Sequence, residues 1–153
     1  MGLKLQGKGF RLDIKVQRVT KALGDAMRIM ATQSQNHFVG SFRNQGFTDD
    51  SLRAWPNRKR GTRRDRQTQQ SRAILVQTGA LRRSILKSPM GRLTWRIFSE
   101  LPYSAIHNYG LKGKAFGKHT FQMPQRQFIG ISNKLIRRNI VTLRSMINKA
   151  MTA

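Results

Sequence analysis

Apolar and polar positions follow a helical period over long stretches near both ends of the chain. In residues 14–42, apolar side chains recur at three- and four-residue steps, apart from a polar interruption at residues 33–35. This pattern predicts a long amphipathic helix. A rod of about 25 to 28 residues is about 40 Å long. A helix longer than its own core can cover gains its burial from a neighbouring element or subunit.

The second helical pattern lies near the C-terminus. Ser132 is placed to cap a helix that continues to about residue 150, because its hydroxyl can accept from the N–H groups of the first turn. Ile131 and Ile136 have the spacing of a hydrophobic staple across that cap. The apolar stripe of this predicted helix consists of Ile136, Ile140, Leu143, Ile147 and Met151.

Between the helices, the pattern changes to short segments separated by turn residues. Residues 44–57 have the glycine, aspartate and proline content of a loop. The apolar anchors of this loop are Phe47, Leu52 and Trp55. Further along, Thr78 is placed to cap a short helix in which Leu81 and Ile85 share a face. Residues 93–99 alternate apolar and polar side chains and predict a half-buried strand.

Two more short elements follow the strand. Residues 102–110 fit a helix with Tyr103 and His107 on one face and Gly110 as its left-handed cap. Residues 111–122 contain spaced glycines and lysines and predict a basic hairpin or an extended loop. The predicted fold class is therefore α+β, with a small antiparallel sheet packed by long N- and C-terminal amphipathic helices. At this length, we expect one domain over residues 1–153.

The net charge of the chain limits the kinds of molecule that it is expected to bind. Lys and Arg number 30 and Asp and Glu number 6, which gives a formal net charge of +24. Such a field favours nucleic acid, an acidic membrane surface or an acidic protein. The chain has no cysteine, which excludes disulfides and zinc sites of the cysteine type. Without a signal-peptide pattern or a long apolar run, we expect synthesis in the cytoplasm and no membrane span.

The basic bias is greatest in residues 58–72, where arginine is frequent and no side chain is apolar. This segment cannot bury enough surface to offset its ordering entropy, so we expect a mobile basic loop or arm. Its candidate contacts to DNA or another polyanion are Arg58, Lys59, Arg60, Arg63, Arg64 and Arg66. The alternative is a solvated loop that only keeps the protein soluble.

Catalytic groups are scarce and scattered along the chain. The acidic residues and the histidines form no paired or metal-binding pattern, and no phosphate-binding loop or nucleophile elbow occurs. We therefore expect no enzyme, no catalytic residue, no metal and no cofactor. A nuclease would need an acidic metal site, for which Glu100 and Asp49 are the candidates. His107 is expected to be a core histidine with a satisfied ring nitrogen.

Four blocks of sequence occur in a recognisable order. They are Trp55-Pro56, ILVQTGALRRSI at 74–85, PYSAIHNYG at 102–110 and MPQRQFIG at 123–130. Together they resemble the tail-completion or virion-morphogenesis proteins of tailed bacteriophages, over about residues 38–150. Two positions depart from the family pattern, because Ser104 stands where alanine is usual and Gln127 replaces a proline.

The resemblance marks a set of positions as packing or interface residues. They are Trp55, Thr78, Gly79, Leu81, Ser84, Ile85, Tyr103, Ile106, His107, Gly110, Met123, Pro124, Arg126, Phe128 and Gly130. In the last block, which we call the octet, Met123 and Phe128 are predicted anchors and Pro124 restricts the backbone. Arg126 has two interpretations: it is structural if buried against a carboxylate or carbonyl, and available for a subunit contact if exposed.

The resemblance implies a non-enzymatic structural protein of the virion neck, which completes the tail or joins it to the head. It implies a homo-oligomeric ring, with a hexamer favoured, beside connector and tail-tube or terminator proteins. The protein would be made in the cytoplasm of the bacterial host, and positive loops of the ring would contact DNA without reading its sequence. The alternative is a free basic nucleic-acid-binding protein of ribosomal or nucleoid-associated type, which would be a salt-sensitive monomer or dimer.

Overall fold

A computed structural model describes residues 12–58, 73–115 and 119–152 of the protein. Its helices and strands in chain order are α1 (Leu12–Asn44), β1 (Gly46–Thr48), β2 (Leu52–Ala54), α2 (Ala80–Arg83), β3 (Ile85–Gly91), β4 (Thr94–Ser99), α3 (Ser104–Tyr109), β5 (Lys112–Ala115), β6 (His119–Gln122) and α4 (Asn133–Thr152). Long helices at both ends and short antiparallel strands between them confirm the predicted α+β class.

The first helix is longer than predicted, with 33 residues. The polar stretch at residues 33–35 does not interrupt it, because its side chains make tertiary hydrogen bonds. Gln33 Nε2 donates to Thr142 Oγ1 of α4 at 3.1 Å, and Gln35 Nε2 donates to the carbonyl oxygen of Ile85 at 2.8 Å. Polar residues at these positions thus attach α1 to α4 and to the start of β3.

The strands form three separate hairpins instead of one sheet. In the described residues, β1 pairs with β2, β3 with β4, and β5 with β6, each pair antiparallel. The β3–β4 hairpin has a register shift between Pro89 and Gly91 near its turn. The predicted strand at residues 93–99 and the predicted basic hairpin at residues 111–122 are both confirmed.

Two predicted segments differ from the structure. Residues 46–54 form the β1–β2 hairpin where a loop was expected, and Leu52 is 51% exposed, so it does not anchor that segment. The helix predicted after Thr78 ends at Arg83, and Ile85 begins β3. Leu81 and Ile85 are nevertheless both buried in the same core, because the strand turns Ile85 inward as the predicted helix would have done.

The core is aromatic and lies where α1, the β1–β2 hairpin and the octet meet. Its buried members are Phe38, Phe42, Phe47, Trp55, Leu81, Ile85, Phe128 and Leu135. The ring of Phe42 is central, with its centroid 5.4 Å from that of Trp55 and 5.3 Å from that of Phe128. Aromatic pairs at such separations add to the stabilisation from buried area. The core therefore joins residues from both halves of the chain.

Ser132 caps α4 as predicted. Its Oγ accepts from the backbone N–H of Leu135 at 3.2 Å, and Leu135 is buried. The predicted staple beside this cap is wrong, because Ile131 is 82% exposed and Ile136 is 45% exposed. The entry angle of α4 is therefore set by polar contacts, which are described below.

Replacing Phe128 with Ala should lower the free energy of unfolding by about 3 to 5 kcal/mol, because the substitution leaves a cavity beside Phe42 and Trp55. Urea denaturation at fixed protein concentration measures the change. Val141→Ala is the matched control, since Val141 is 67% exposed and its truncation should change stability by less than about 0.5 kcal/mol. A Phe128 variant as stable as the control would contradict its place in the core.

Candidate functional site

The octet, residues 123–130, is held by hydrogen bonds to two distant parts of the chain. Trp55 Nε1 donates to the carbonyl oxygen of Gln127 at 2.7 Å, and the backbone N–H of Arg126 donates to the carbonyl oxygen of His107 at 2.8 Å. We call this meeting point of the octet, residues 55–57 and the end of α3 the octet junction. It is where the structure brings the family-like blocks together.

Arg126 is the charged centre of the octet junction. Its side chain is buried, with 6% of the residue exposed. Nε and Nη2 donate to the carbonyl oxygen of Pro56 at 3.2 and 3.1 Å, and Nη2 also reaches that of Asn57 at 3.4 Å. No carboxylate accompanies it among the described residues. Of its two interpretations, the structural one with carbonyl partners is therefore observed.

The charge of Arg126 is held at an electrostatic cost. Burial lowers the pKa of its guanidinium, and the nearby charge of Arg58 lowers it further. Carbonyl dipoles replace part of the lost hydration, which is how a buried cation without a counter-ion is tolerated. Through these carbonyls, the guanidinium connects residues 56 and 57, which follow the β1–β2 hairpin, to the octet.

Asn108 is the main residue of this site that the sequence did not reveal. It is 4% exposed. Its Oδ1 accepts from the N–H groups of Phe128 and Ile129 at 2.9 and 3.0 Å, and its Nδ2 donates to the carbonyl oxygen of Ile129 at 3.0 Å. One amide therefore satisfies three backbone groups of the octet. The only sequence signal for Asn108 was its position directly after His107, and this position does not predict which residues its amide bonds.

His107 differs from its prediction. The ring lies edge-on to Tyr103 with 6.1 Å between centroids, as expected for neighbours on one face of α3. Its Nδ1, however, is buried without a hydrogen-bond partner among the described residues, so the expected satisfied nitrogen is not found there. Burial lowers the pKa of His107, and the positive charge of Arg126 lowers it further. The neutral ring is therefore the form that the fold favours.

The glycines and flanking residues of the blocks have structural roles. Gly79 and Gly110 have φ angles of 71° and 67°, which favour glycine. A Cβ on Gly110 would lie 2.9 Å from the backbone nitrogen of Gln125, so α3 and the octet approach too closely there for any side chain. The hydrogen bond predicted for Thr78 is present, because its Oγ1 accepts from the N–H of Ala80 at 3.3 Å, but the N-cap residue of α2 is Gly79.

The remaining marked residues border the octet junction. Met123 and Pro124 are half-buried, and the sulfur of Met123 lies 4.0 Å from Nη1 of Arg126. Gly130 is half-buried next to the side chain of Gln127. Tyr103 is 41% exposed. Met123 thus packs on the arginine, while Tyr103 leaves aromatic surface open to solvent.

A second set of polar contacts, which the sequence did not predict, fixes the start of α4. The turn between β1 and β2 carries Asp49 and Asp50. Asp49 Oδ1 accepts from the N–H of Asn133 at 2.8 Å, and Asp50 Oδ2 accepts from Nδ2 of Asn133 at 3.0 Å. Asp50 also forms an ion pair with Arg137, which contributes most to lowering the pKa of this carboxyl. Carboxylates are favourable at a helix N-terminus.

Of the candidate polyanion contacts, only Arg58 falls in the described part of the chain. Its Nη2 donates to the carbonyl oxygen of Ala73 at 3.0 Å. Lys59, Arg60, Arg63, Arg64 and Arg66 lie outside the described residues. Gln45 fixes the next residue after Ala73, because its Oε1 accepts from the N–H of Ile74 at 2.5 Å. The two residues that flank the segment 59–72 are thus tied together beside the octet junction.

Positive charge covers much of the described surface. Asp25, Asp49 and Asp50 each pair with an arginine of the same chain. Lys112 and Lys114 are exposed at alternate positions of β5 and so share one face of the hairpin.

In the described ranges, no three His, Asp or Glu side chains are grouped closely enough to hold a metal ion. None of the described helices is long and apolar enough to cross a membrane.

Comparison with known proteins identifies the family. The octet junction is built from three of the sequence blocks, and the block at 74–85 adds Leu81 and Ile85 to the core beside it, so these blocks serve packing and hydrogen bonding in a small α+β protein. Residues 12–145 match the model of the phage virion morphogenesis family. The chain therefore belongs to that family and has a structural or assembly role in a phage virion. No curated protein and no solved structure gives a significant match.

Replacing Asn108 with Ala should lower the free energy of unfolding by about 3 kcal/mol, because the N–H groups of Phe128 and Ile129 lose their acceptor. Asn148→Ala on the exposed side of α4 is the matched control and should change stability little. Chemical denaturation measures both variants. Equal stability of the two would show that the octet does not depend on the Asn108 amide.

The lowered pKa of His107 predicts a pH dependence of stability. The unfolded chain takes up a proton at the usual pKa of about 6.5, whereas the folded chain takes it up only at lower pH. The free energy of unfolding should therefore fall as the pH drops below about 6.5. In denaturation experiments between pH 8 and pH 5, His107→Gln should lose less stability than the wild type. Parallel curves would contradict the assignment, since His37 and His119 are common to both proteins.

Proposed function

We propose that this protein is a tail-completion or head–tail joining component of the virion neck, where its copies form a homo-oligomeric ring with six subunits favoured. Connector and tail-tube or terminator proteins are its proposed neighbours, and its positive surface contacts DNA through the phosphates. The observation that carries the proposal is the family match over residues 12–145. The order of the four sequence blocks supports the specific place at the neck.

Exposed apolar surface supports assembly with other subunits. Met90 near the β3–β4 turn and Tyr109 at the end of α3 are each 64% exposed, and Leu111 beside Tyr109 is 45% exposed. Aromatic residues and methionine are enriched at protein interfaces, so exposed side chains of these types suit a subunit contact. A ring brings two different surfaces of each subunit into contact, and these residues lie on two different elements.

The charge of +24 supports contact with DNA. Phosphate neutralisation by lysine and arginine needs no recognition of bases, so it suits a channel through which any genome sequence passes. The exposed lysines of the β5–β6 hairpin and the arginines of residues 58–66 are the proposed contacts. These contacts weaken as salt rises, whereas apolar subunit contacts do not.

Light scattering coupled to size-exclusion chromatography tests the ring, at low and high salt and with or without a DNA duplex of unrelated sequence. The expected result is one closed oligomer whose mass does not change with salt, and DNA binding that weakens steeply as salt increases. A monomer or dimer at both salt concentrations, with DNA as its only partner, would replace the ring by the free nucleic-acid-binding alternative. A chain that stays monomeric even with purified phage tails would also contradict the proposal.

A further inference from the structure

The face of α4 that packs on α1 carries polar as well as apolar side chains. Towards α1, Asn139 Nδ2 donates to Ser34 Oγ at 3.5 Å, and Thr142 bonds with Gln33. Leu135 is the buried residue of this helix. The packing of α4 on α1 therefore includes hydrogen bonds near the middle of the helix and leaves several large apolar side chains of α4 partly exposed.

Those apolar side chains form a row along one side of α4, which we call the α4 row. It consists of Ile136, Ile140, Leu143, Ile147 and Met151. Ile136 is 45% exposed, Ile140 42% and Met151 58%, and the two residues between them are half-buried. At 1.5 Å per residue the row is about 22 Å long. It offers an apolar surface of about four helical turns that the described part of the chain does not cover.

Arginines border the α4 row on one side. Arg137 and Arg144 are the i−3 and i+4 surface neighbours of Ile140, and both are exposed. Arg137 pairs with Asp50 at the start of the helix. Arg144 has no ion-pair partner among the described residues. A protein that covers the row must therefore bring acidic groups to its middle, or leave this arginine desolvated and unpaired.

A second copy of the chain is a poor source of those acidic groups. The chain has 6 acidic residues against 30 basic ones, and Asp25, Asp49 and Asp50 already pair with arginines of their own chain. Two α4 rows packed together would place arginines of the same charge side by side, which destabilises the contact. Any other face of a second copy belongs to a chain with the same excess of basic residues. Charge complementarity thus favours a different protein with apolar residues at helical spacing and acidic flanks.

We propose that the α4 row, with Arg144 at its border, is the docking surface for an acidic amphipathic helix of another virion protein. Apolar anchors of that helix at i, i+3, i+4 and i+7 would cover Ile136, Ile140 and Met151, and its carboxylates would pair with Arg144. This deepens the proposed function, since it rests on a role at the neck among other proteins. It does not depend on the number of subunits in the ring.

The test uses the full chain and two synthetic helical peptides of about 18 residues. Both have leucines at i, i+3, i+4 and i+7, and one has glutamate and the other lysine on the flanks. Fluorescence anisotropy should show binding of the glutamate peptide alone, weakened about tenfold by Ile140→Ser and by Arg144→Glu. Val141→Ser is the matched control, because Val141 is 67% exposed but lies outside the row, and it should bind like the wild type.

Several results would overturn the proposal. Since any acidic peptide is attracted to a protein of this charge, equal binding by the Ile140 and Val141 variants would reduce the interaction to non-specific attraction. Absence of binding by the glutamate peptide would also exclude an acidic helix. If Ile140→Ser dissociates the oligomer without any peptide, the row is covered by a second copy. Circular dichroism confirms that each variant is folded, and light scattering of the wild type tests the ring separately.

Discussion

Phe128 can enter the aromatic core only if the polar backbone beside it finds partners, because a buried N–H without an acceptor costs more than most single contacts contribute. Asn108 supplies the acceptor for two of these N–H groups and a donor for one carbonyl. Trp55 belongs to the same core and at the same time bonds the carbonyl of Gln127. Apolar burial and backbone hydrogen bonding are thus satisfied by the same few residues.

The buried guanidinium of Arg126 extends this arrangement to residues 56 and 57. An ammonium at that position would lack the planar set of donors that reaches two neighbouring carbonyls at once. Because its partners are carbonyls, the positive charge stays uncompensated. Burial lowers the pKa of His107, and this charge lowers it further. The octet junction therefore combines tight packing with positive potential next to the place where the basic segment leaves and rejoins the described chain.

Features with local signals were predicted from the sequence, and features with distant partners were not. The cap at Ser132 and the left-handed turn at Gly110 depend on residues within one helical turn, so a pattern suffices. Asn108 bonds residues about 20 positions away, and Asp49 bonds a residue 84 positions away. The Ile85 strand was predicted as helix because its apolar spacing fits either period, and only pairing with β4 decides. The Ile131 staple failed because Asp49 and Asp50 already position the start of α4.

The packing of α1 against α4 affects how the chain can fold during synthesis on the ribosome. Gln33 and Thr142 are separated by 109 positions, and Phe42 meets Phe128 only across a similar span. The three hairpins can close early, since their contacts are local, but contacts of high sequence separation form late and slowly. Phe47 and Trp55 can cover part of the aromatic face of α1 early, but the part that Phe128 and Leu135 cover stays open to solvent until they have emerged. During that interval the nascent chain depends on its like charges to keep it from aggregating.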